Sequence, residues 1–239
     1  PSAATASSPR ATHDIAHTQR RRRVVPVTQM KAVILAGGLG ERLRPFTQAI
    51  PKPLLPIGEQ SLLEIQITNL AKYGFTDIFL ATNYKSEYIE NFIGDGSQFG
   101  VRTHFSRETK PLGTCGPLSL LRAELDTPFI VMNGDILTTI DFRRFYDYGC
   151  AQESDFTVGT KNIITPFSFG KVHIEGNRIV KVEEKPEIYT EIVAGIYFMR
   201  PAILDLIPNE AYFGIDNLVE LMLREGRPIT RYLIEEYWL

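Results

Sequence analysis

The alternation of short apolar runs with amphipathic segments constrains the fold of this chain more than any other feature. Runs such as KAVILA at 31–36 and PFIVMN at 128–133 are short, continuous and apolar, which is typical of strands buried on both faces. Between them, the segment 61–74 has helical periodicity and opens with a capping box formed by Ser61 and Glu64. This strand–helix–strand rhythm predicts a parallel sheet with right-handed crossovers.

The pattern continues to residue 239, less regularly in its second half. The sequence predicts further strands at 77–82, 101–106, 193–199 and 228–239, further helices at 86–93, 116–125 and 215–226, and a β-hairpin over 170–185 about Gly176–Asn177. We therefore expect an α/β, Rossmann-like domain over residues 30–239. Its mostly parallel sheet is flanked by helices and carries a small antiparallel part.

Residues 1–29 differ in composition from the rest of the chain. They hold five arginines against one acid, Asp14, and lack apolar periodicity. We expect a disordered, basic N-terminal extension. The segment has no hydrophobic stretch of a secretory signal, and its Arg- and Ser-rich composition leaves a transit peptide as the alternative.

Composition narrows the classes of function. The net charge is −2 and no apolar run approaches the ~20 residues of a membrane span, so we expect neither a nucleic-acid partner nor a membrane. Cys115 and Cys150 have no CxxC spacing, which supports neither a zinc site nor a disulfide framework. A cytoplasmic location follows as an expectation.

The glycine-rich stretch AGGLGERLRP, residues 36–45, directly follows the first predicted strand. Ligands of open α/β sheets bind at the carboxyl ends of strands, and bare glycine backbone brings N–H groups against phosphate oxygens. Arg42 and Lys52, the latter held between two prolines, add two cations close behind it. The pattern is neither a dinucleotide fingerprint nor a Walker A loop, so by itself it allows a phosphate loop or a tight turn.

The joint pattern G-G-x-G-x-R-L-x-P-x-T at 37–47 and P-K-P-L-L-P-I at 51–57 is more specific. It resembles the sugar-1-phosphate nucleotidylyltransferases, especially the mannose- and heptose-1-phosphate guanylyltransferase branch. The resemblance covers 31–239 and includes LGTCGPL at 112–118, NGD at 133–135 and VEEKP at 182–186. It implies transfer of a nucleotidyl group from a nucleoside triphosphate to a sugar-1-phosphate, with release of pyrophosphate and with Mg²⁺ as cofactor.

The resemblance also assigns roles to individual residues. Arg42 would hold the departing pyrophosphate, Lys52 would neutralise the α-phosphate, and Asp135 would bind Mg²⁺. Nucleotide-binding positions fall at Ala36, Gly37, Gly38, Gly40, Glu41, Glu108, Gly113, Thr114 and Gly134. Sugar-phosphate-binding positions fall at Gly170, Glu184, Lys185 and Val193.

Glu108 is the residue whose chemistry indicates which nucleobase is bound. A carboxylate only accepts hydrogen bonds, and guanine offers neighbouring N1–H and N2–H₂ donors, whereas uracil offers one N–H. The sequence therefore favours GTP, although Glu108 could equally pair with Arg107 or Lys110 on the surface. A glucose-1-phosphate uridylyltransferase and a non-catalytic regulatory subunit of the same fold stay open as alternatives.

The end of the chain departs from the family pattern. The last strand of the family normally reads W-x-D-x-G, whose Asp is a second metal ligand, and this sequence stops at Trp238–Leu239. We expect the C-terminal end to be truncated, in which case the metal site of the family is intact in the whole protein. If the chain really ended at Leu239, metal binding would depend on Asp135 and phosphate oxygens. The oligomeric state is open, with a homo-oligomer as one candidate.

Overall fold

The computed structural model describes residues 29–38 and 40–239, without the side chain of Arg42. The predicted N-terminal extension therefore lies outside the described residues, apart from Gln29, and stays a prediction. In the described part, no helix combines the length and the apolar character needed to cross a bilayer.

Eleven strands and five α-helices make up the regular structure of the described residues. The strands are β1 (Met30–Leu35), β2 (Pro56–Ile57), β3 (Gln60–Ser61), β4 (Phe75–Thr82), β5 (Arg102–Arg107), β6 (Phe129–Asn133), β7 (Phe156–Pro166), β8 (Lys171–Glu175), β9 (Arg178–Glu183), β10 (Glu187–Met199) and β11 (Thr230–Leu233). The helices are α1 (Phe46–Ala49), α2 (Leu62–Lys72), α3 (Ser86–Ile93), α4 (Phe142–Ala151) and α5 (Ile215–Arg224).

Seven of these strands form one sheet in the order β11–β7–β10–β6–β1–β4–β5. The strands β6, β1, β4 and β5 are mutually parallel, and β11 is parallel to β7. Only β10 runs antiparallel to both of its neighbours, β6 and β7. The predicted α/β fold with a mostly parallel sheet is confirmed, and so is the β8–β9 hairpin.

The core lies on both faces of this sheet, as continuous apolar strands require. Ala32 and Ile34 of β1 pack with apolar side chains of α2, α3 and α4 on one face. Val33 points to the opposite face, where it packs in a cluster with apolar residues of 116–121 and α5. This two-sided burial fixes the register of β1, since a one-residue slip would exchange the two faces.

Three predictions of secondary structure need correction. The helix predicted at 116–125 is a 3₁₀ turn at Gly116–Leu121, and the N–H groups of Cys115 and Gly116 at its start both bind the Phe213 carbonyl at 2.9 Å. The closing strand covers only Thr230–Leu233 of the predicted 228–239. The strand predicted at 193–199 begins earlier, at Glu187, because it pairs along the length of β7. Neither β7 nor α4 was predicted from the sequence.

Candidate active site

Four neighbouring parallel strands end at one edge of the sheet, and the residues that follow them meet there. Ala36–Gly38 follow β1, Asn83 follows β4, Glu108 follows β5, and Gly134–Asp135 follow β6. All of these residues line a cavity of about 390 Å³. The cavity thus lies where open α/β sheets bind their ligands.

The glycine loop brings bare backbone to this cavity. A Cβ atom at Gly37 would lie 2.9 Å from Oε1 of Glu108, so a side chain there would push the carboxylate away. At Gly38 no atom of the described residues, its chain neighbours aside, lies within 4 Å of an added Cβ. Gly40 has the left-handed φ of 61°, and the Thr47 hydroxyl donates to its carbonyl at 2.9 Å. The loop therefore leaves room for a ligand to approach the backbone.

Lys52 and Asp135 meet in the cavity wall, with Nζ and Oδ2 2.5 Å apart. Lys52 begins a short 3₁₀ turn after Pro51, and its side chain is partly buried. The segment that carries Asp135 is held by Gln66, whose amide donates to the carbonyls of Asn133 at 3.1 Å and Ile136 at 2.8 Å. One cation and one carboxylate are thus fixed beside the glycine loop.

A divalent cation that also binds phosphate oxygens needs few carboxylates from the protein. Among the described residues, no three His, Cys, Asp or Glu side chains converge as a metal cluster. Mg²⁺ usually takes one or two carboxylates and completes its octahedron with phosphate oxygens and water. Asp135, partly exposed in the cavity, fits that pattern. Leu239 also lies beside the segment that carries Asp135, since Leu239 and Leu137 exchange two backbone hydrogen bonds of 2.9 Å.

Glu108 lies in the cavity wall instead of on a salt-bridged surface. Its carboxylate accepts the Leu112 N–H at 2.9 Å and forms no ion pair within the described part of the chain. Arg107, the surface partner considered above, binds Glu90 through two hydrogen bonds of 2.6 Å. Burial raises the pKa of Glu108, and hydrogen bonds from Leu112 and Asn83 partly oppose that increase. The structure therefore leaves this carboxylate available to a ligand.

The other predicted nucleotide residues divide into two groups. Gly113 and Thr114 line the cavity, although the Thr114 hydroxyl already accepts the N–H of Ile215 at 2.9 Å, at the start of α5. Glu41 is exposed, pairs with Arg44 at 3.3 Å and lies outside the cavity lining. The side chain of Arg42 lies outside the described part of the chain, so its predicted role stays a prediction.

The predicted sugar-phosphate residues are not brought into this cavity. Gly170, Glu184, Lys185 and Val193 are all exposed and do not line it. Gly170 and Glu184 are neighbours, because an added Cβ at Gly170 would lie 3.5 Å from Oε2 of Glu184. Lys185 has an unusual positive φ of 46°. These four assignments stay predictions.

Several residues of the cavity lining were not predicted from the sequence. Asn83 directly follows β4, so alignment of the strand ends would have identified it. Pro111 and Leu112 are adjacent to predicted residues. Tyr212 lines the cavity from a loop about a hundred residues further along the chain, and no local signal points to it.

Comparisons with known proteins agree with this geometry. Residues 31–239 match the family of nucleotidyl transferases. The chain is 37% identical over 187 residues to a protein of Oryza sativa subsp. japonica named probable mannose-1-phosphate guanylyltransferase 1, a match covering 74% of this chain and 52% of the relative. It is 35% identical over 219 residues to the mannose-1-phosphate guanyltransferase of Neurospora crassa, covering 88% of this chain and 60% of the relative. The matches thus span about half to three-fifths of the length of these curated relatives.

A solved structure supports the fold. The putative glucose-1-phosphate thymidylyltransferase from Bacillus anthracis, solved in complex with a sucrose, superposes with a TM-score of 0.71 at 27% identity. The superposition covers 87% of this chain and 88% of that one. The similarity therefore extends over nearly the whole described fold, beyond the motifs at the strand ends.

Proposed function

This chain belongs to the nucleotidyl transferase family, and we propose that it joins a nucleoside triphosphate to a sugar-1-phosphate, giving a nucleotide sugar and pyrophosphate. The observation that carries the proposal is the convergence of Lys52, Asp135 and bare glycine backbone in one cavity at the strand ends. Phosphate chemistry needs such an arrangement of positive charge and N–H donors. GTP and mannose-1-phosphate are the proposed substrates. The relatives described above are named as mannose-1-phosphate guanylyltransferases, and the carboxylate of Glu108 can accept hydrogen bonds from guanine.

The reaction needs no nucleophile from the protein. A phosphate oxygen of the sugar-1-phosphate attacks the α-phosphorus, and the bond from that phosphorus to the departing pyrophosphate breaks in line. Catalysis is then positioning and neutralisation of charge. Lys52 would supply positive charge at the α-phosphate, and the N–H groups of Gly37 and Gly38 would bind phosphate oxygens. Arg42 would hold the pyrophosphate.

Asp135 is the residue that would hold Mg²⁺. When bound, the ion neutralises charge on the phosphates. Lys52, 2.5 Å from this carboxylate, lies close enough to act on the same phosphates. A regulatory subunit without activity would have no need of this pair, and its presence supports the catalytic proposal.

The sugar-phosphate is proposed to bind between the cavity and the β8–β9 hairpin. Lys185 would bind its phosphate and Glu184 its hydroxyl groups, with Gly170 and Val193 contributing backbone. The positive φ of Lys185 supports a functional position, since such backbone strain clusters at ligand sites. The free thiols of Cys115 and Cys150 agree with the proposed cytoplasmic location.

The test is release of pyrophosphate from GTP, ATP, UTP, CTP and dTTP, each combined with mannose-, glucose- or heptose-1-phosphate and Mg²⁺. We expect release with GTP and mannose-1-phosphate above all other pairs. Preference for UTP and glucose-1-phosphate would establish the uridylyltransferase instead. Equilibrium binding of nucleotide is measured in parallel, because binding without release from any pair would support a regulatory subunit.

A further inference from the structure

We infer that Tyr212 is the stacking platform for the nucleobase, an inference that rests on the proposed function. Tyr212 lines the cavity from the loop between the 3₁₀ turn at 201–206 and α5, and the residue is 72% exposed. An aromatic ring left in water at the mouth of a binding cavity offers an apolar face to a flat ligand.

The loop of Tyr212 is bound directly to the loop that follows Glu108. The N–H of Phe213 donates to the Leu112 carbonyl at 2.8 Å, and the Phe213 carbonyl accepts from Cys115 and Gly116 at 2.9 Å each. These bonds flank Tyr212 on its C-terminal side. They fix the tyrosine relative to the proposed base-reading segment.

The N-terminal side of the loop is also held. The N–H of Glu210 donates to the Ser119 hydroxyl at 3.2 Å, and Glu210 has a positive φ of 45°. An added Cβ at Gly116 would lie 2.6 Å from the Ala211 carbonyl, so the two segments are in close contact. Tyr212 therefore projects from a backbone that is fixed on both sides, which lowers the entropy cost of stacking.

The lining residues around Tyr212 could contact a base in two ways, at its face and at its edge. Pro111, Leu112 and Pro117 give this part of the cavity an apolar wall suited to a ring. Glu108 accepts hydrogen bonds and would read the edge of the base, whereas Tyr212 would cover its face. A face contact does not distinguish bases, so Tyr212 contributes affinity for every nucleotide and Glu108 contributes choice.

The test compares Tyr212→Ala with Tyr212→Phe, which keeps the ring, and with Tyr88→Ala, which removes an exposed tyrosine of α3. Equilibrium binding is measured with GTP and with inorganic tripolyphosphate, which has phosphates and no base. We expect Tyr212→Ala to weaken GTP binding about tenfold, the effect of losing one stacked base, and to leave tripolyphosphate binding unchanged. Tyr212→Phe and Tyr88→Ala should bind both as the wild type does.

Two results would overturn the inference: unchanged GTP binding by Tyr212→Ala, or equal weakening of GTP and tripolyphosphate, which would indicate a structural role. Turnover by the wild type is assayed separately. If the wild type binds GTP but releases no pyrophosphate from any substrate pair, the proposed function fails, while selective loss of GTP binding in Tyr212→Ala still supports the platform. A wild type that binds no nucleotide contradicts both.

Discussion

The strand-end edge formed by β6, β1, β4 and β5 contrasts with the β8–β9 hairpin. Strand β1 is buried on both faces, with Val33 and Ile34 fully enclosed. In the hairpin, Val172, Ile174 and Val182 are 45%, 61% and 59% exposed. Burial on both faces fixes the register of a strand, so the residues just after buried strands are placed together. The residues predicted to bind the sugar-phosphate lie beside the exposed hairpin, and they do not line the cavity.

The ion pairs of the two regions also differ in how far they are exposed to solvent. In the hairpin, Lys181 forms an ion pair with Glu183 at the surface, with the lysine side chain 62% exposed. Exposed ion pairs of this kind typically contribute less than ~1 kcal/mol. At the strand-end edge, the Lys52–Asp135 pair is partly enclosed in a cavity. The difference indicates that the proposed nucleotide site is built into the fold, whereas we expect the proposed sugar site to depend more on its ligand.

The largest expected effect is on turnover, and it should differ between Lys52 at the strand-end edge and Lys185 beside the hairpin. Lys52→Ala should lower kcat by about a hundredfold or more, because it removes charge that stabilises the transition state. Lys185→Ala, at the base of the hairpin, should act mainly by raising the KM for the sugar-1-phosphate. Steady-state kinetics with both substrates varied will measure this, with Lys171→Ala as the control for an exposed hairpin lysine.

A Lys52→Ala enzyme with unchanged kcat would remove this lysine from the mechanism. A Lys185→Ala enzyme that lost kcat as strongly as Lys52→Ala would erase the distinction between the two regions.

The next effect concerns backbone packing. A Cβ at Gly134 would lie 2.6 Å from the Leu35 carbonyl, so Gly134→Ala should lower the free energy of unfolding by about 2–3 kcal/mol through overpacking. Gly176 in the hairpin turn has a φ of 60° and open space around it, so Gly176→Ala should cost only about 1 kcal/mol of backbone strain. Urea denaturation will measure both, and equal losses would contradict the difference in packing.

Glu108 gives a more selective effect. Glu108→Gln should reduce the preference for GTP over UTP by about tenfold, because an amide presents one donor where guanine needs an acceptor. Since burial raises the pKa of Glu108, this carboxylate should take up a proton at a higher pH than an ordinary Glu. The protonated group accepts hydrogen bonds less well, so the KM for GTP should rise on acidification. Glu108→Gln should lose this pH dependence. An unchanged base preference in the variant would remove the structural argument for guanine.

The smallest effect is on acid stability. Burial of Asp77 opposes its ionisation, but hydrogen bonds from Arg102, His104 and Thr76 outweigh it and lower its pKa from 3.8 to about 2. Because the pKa is lowered on folding, the stabilisation is present above pH 4 and is lost as the pH falls toward 2, amounting to about 2 kcal/mol. Asp77→Asn should therefore lower stability at pH 7 more than at pH 2.

Glu183→Gln in the hairpin is the matched control for Asp77→Asn. The pKa of Glu183 is also lowered, by its hydrogen bond with Lys181, but this pair lies at the surface and is less buried than Asp77, so its loss should leave stability unchanged within error. Unfolding curves at pH 2 and pH 7 will decide. An equal loss in both variants would show that the hairpin pairs matter as much as the buried one.

Local patterns predicted much of the strand-end edge. The apolar runs, the capping box at Ser61 and the glycines after β1 each depend on residues close together in sequence, and the structure contains them all. The helix predicted at 116–125 is instead a short 3₁₀ turn, and the start of that turn binds the Phe213 carbonyl about a hundred residues away, a contact that local patterns do not predict. Tyr212 was missed for the same reason, since it reaches the cavity only through that long-range pairing.

Hydrogen–deuterium exchange with GTP tests the central claim most directly, since it locates the nucleotide without depending on turnover. GTP should slow exchange in 36–38, 108–114 and 133–135, at the ends of the buried strands. The hairpin at 171–183 should respond only when mannose-1-phosphate is added as well. Protection by GTP confined to the hairpin, with the strand-end segments unchanged, would contradict the assignment of the cavity as the nucleotide site.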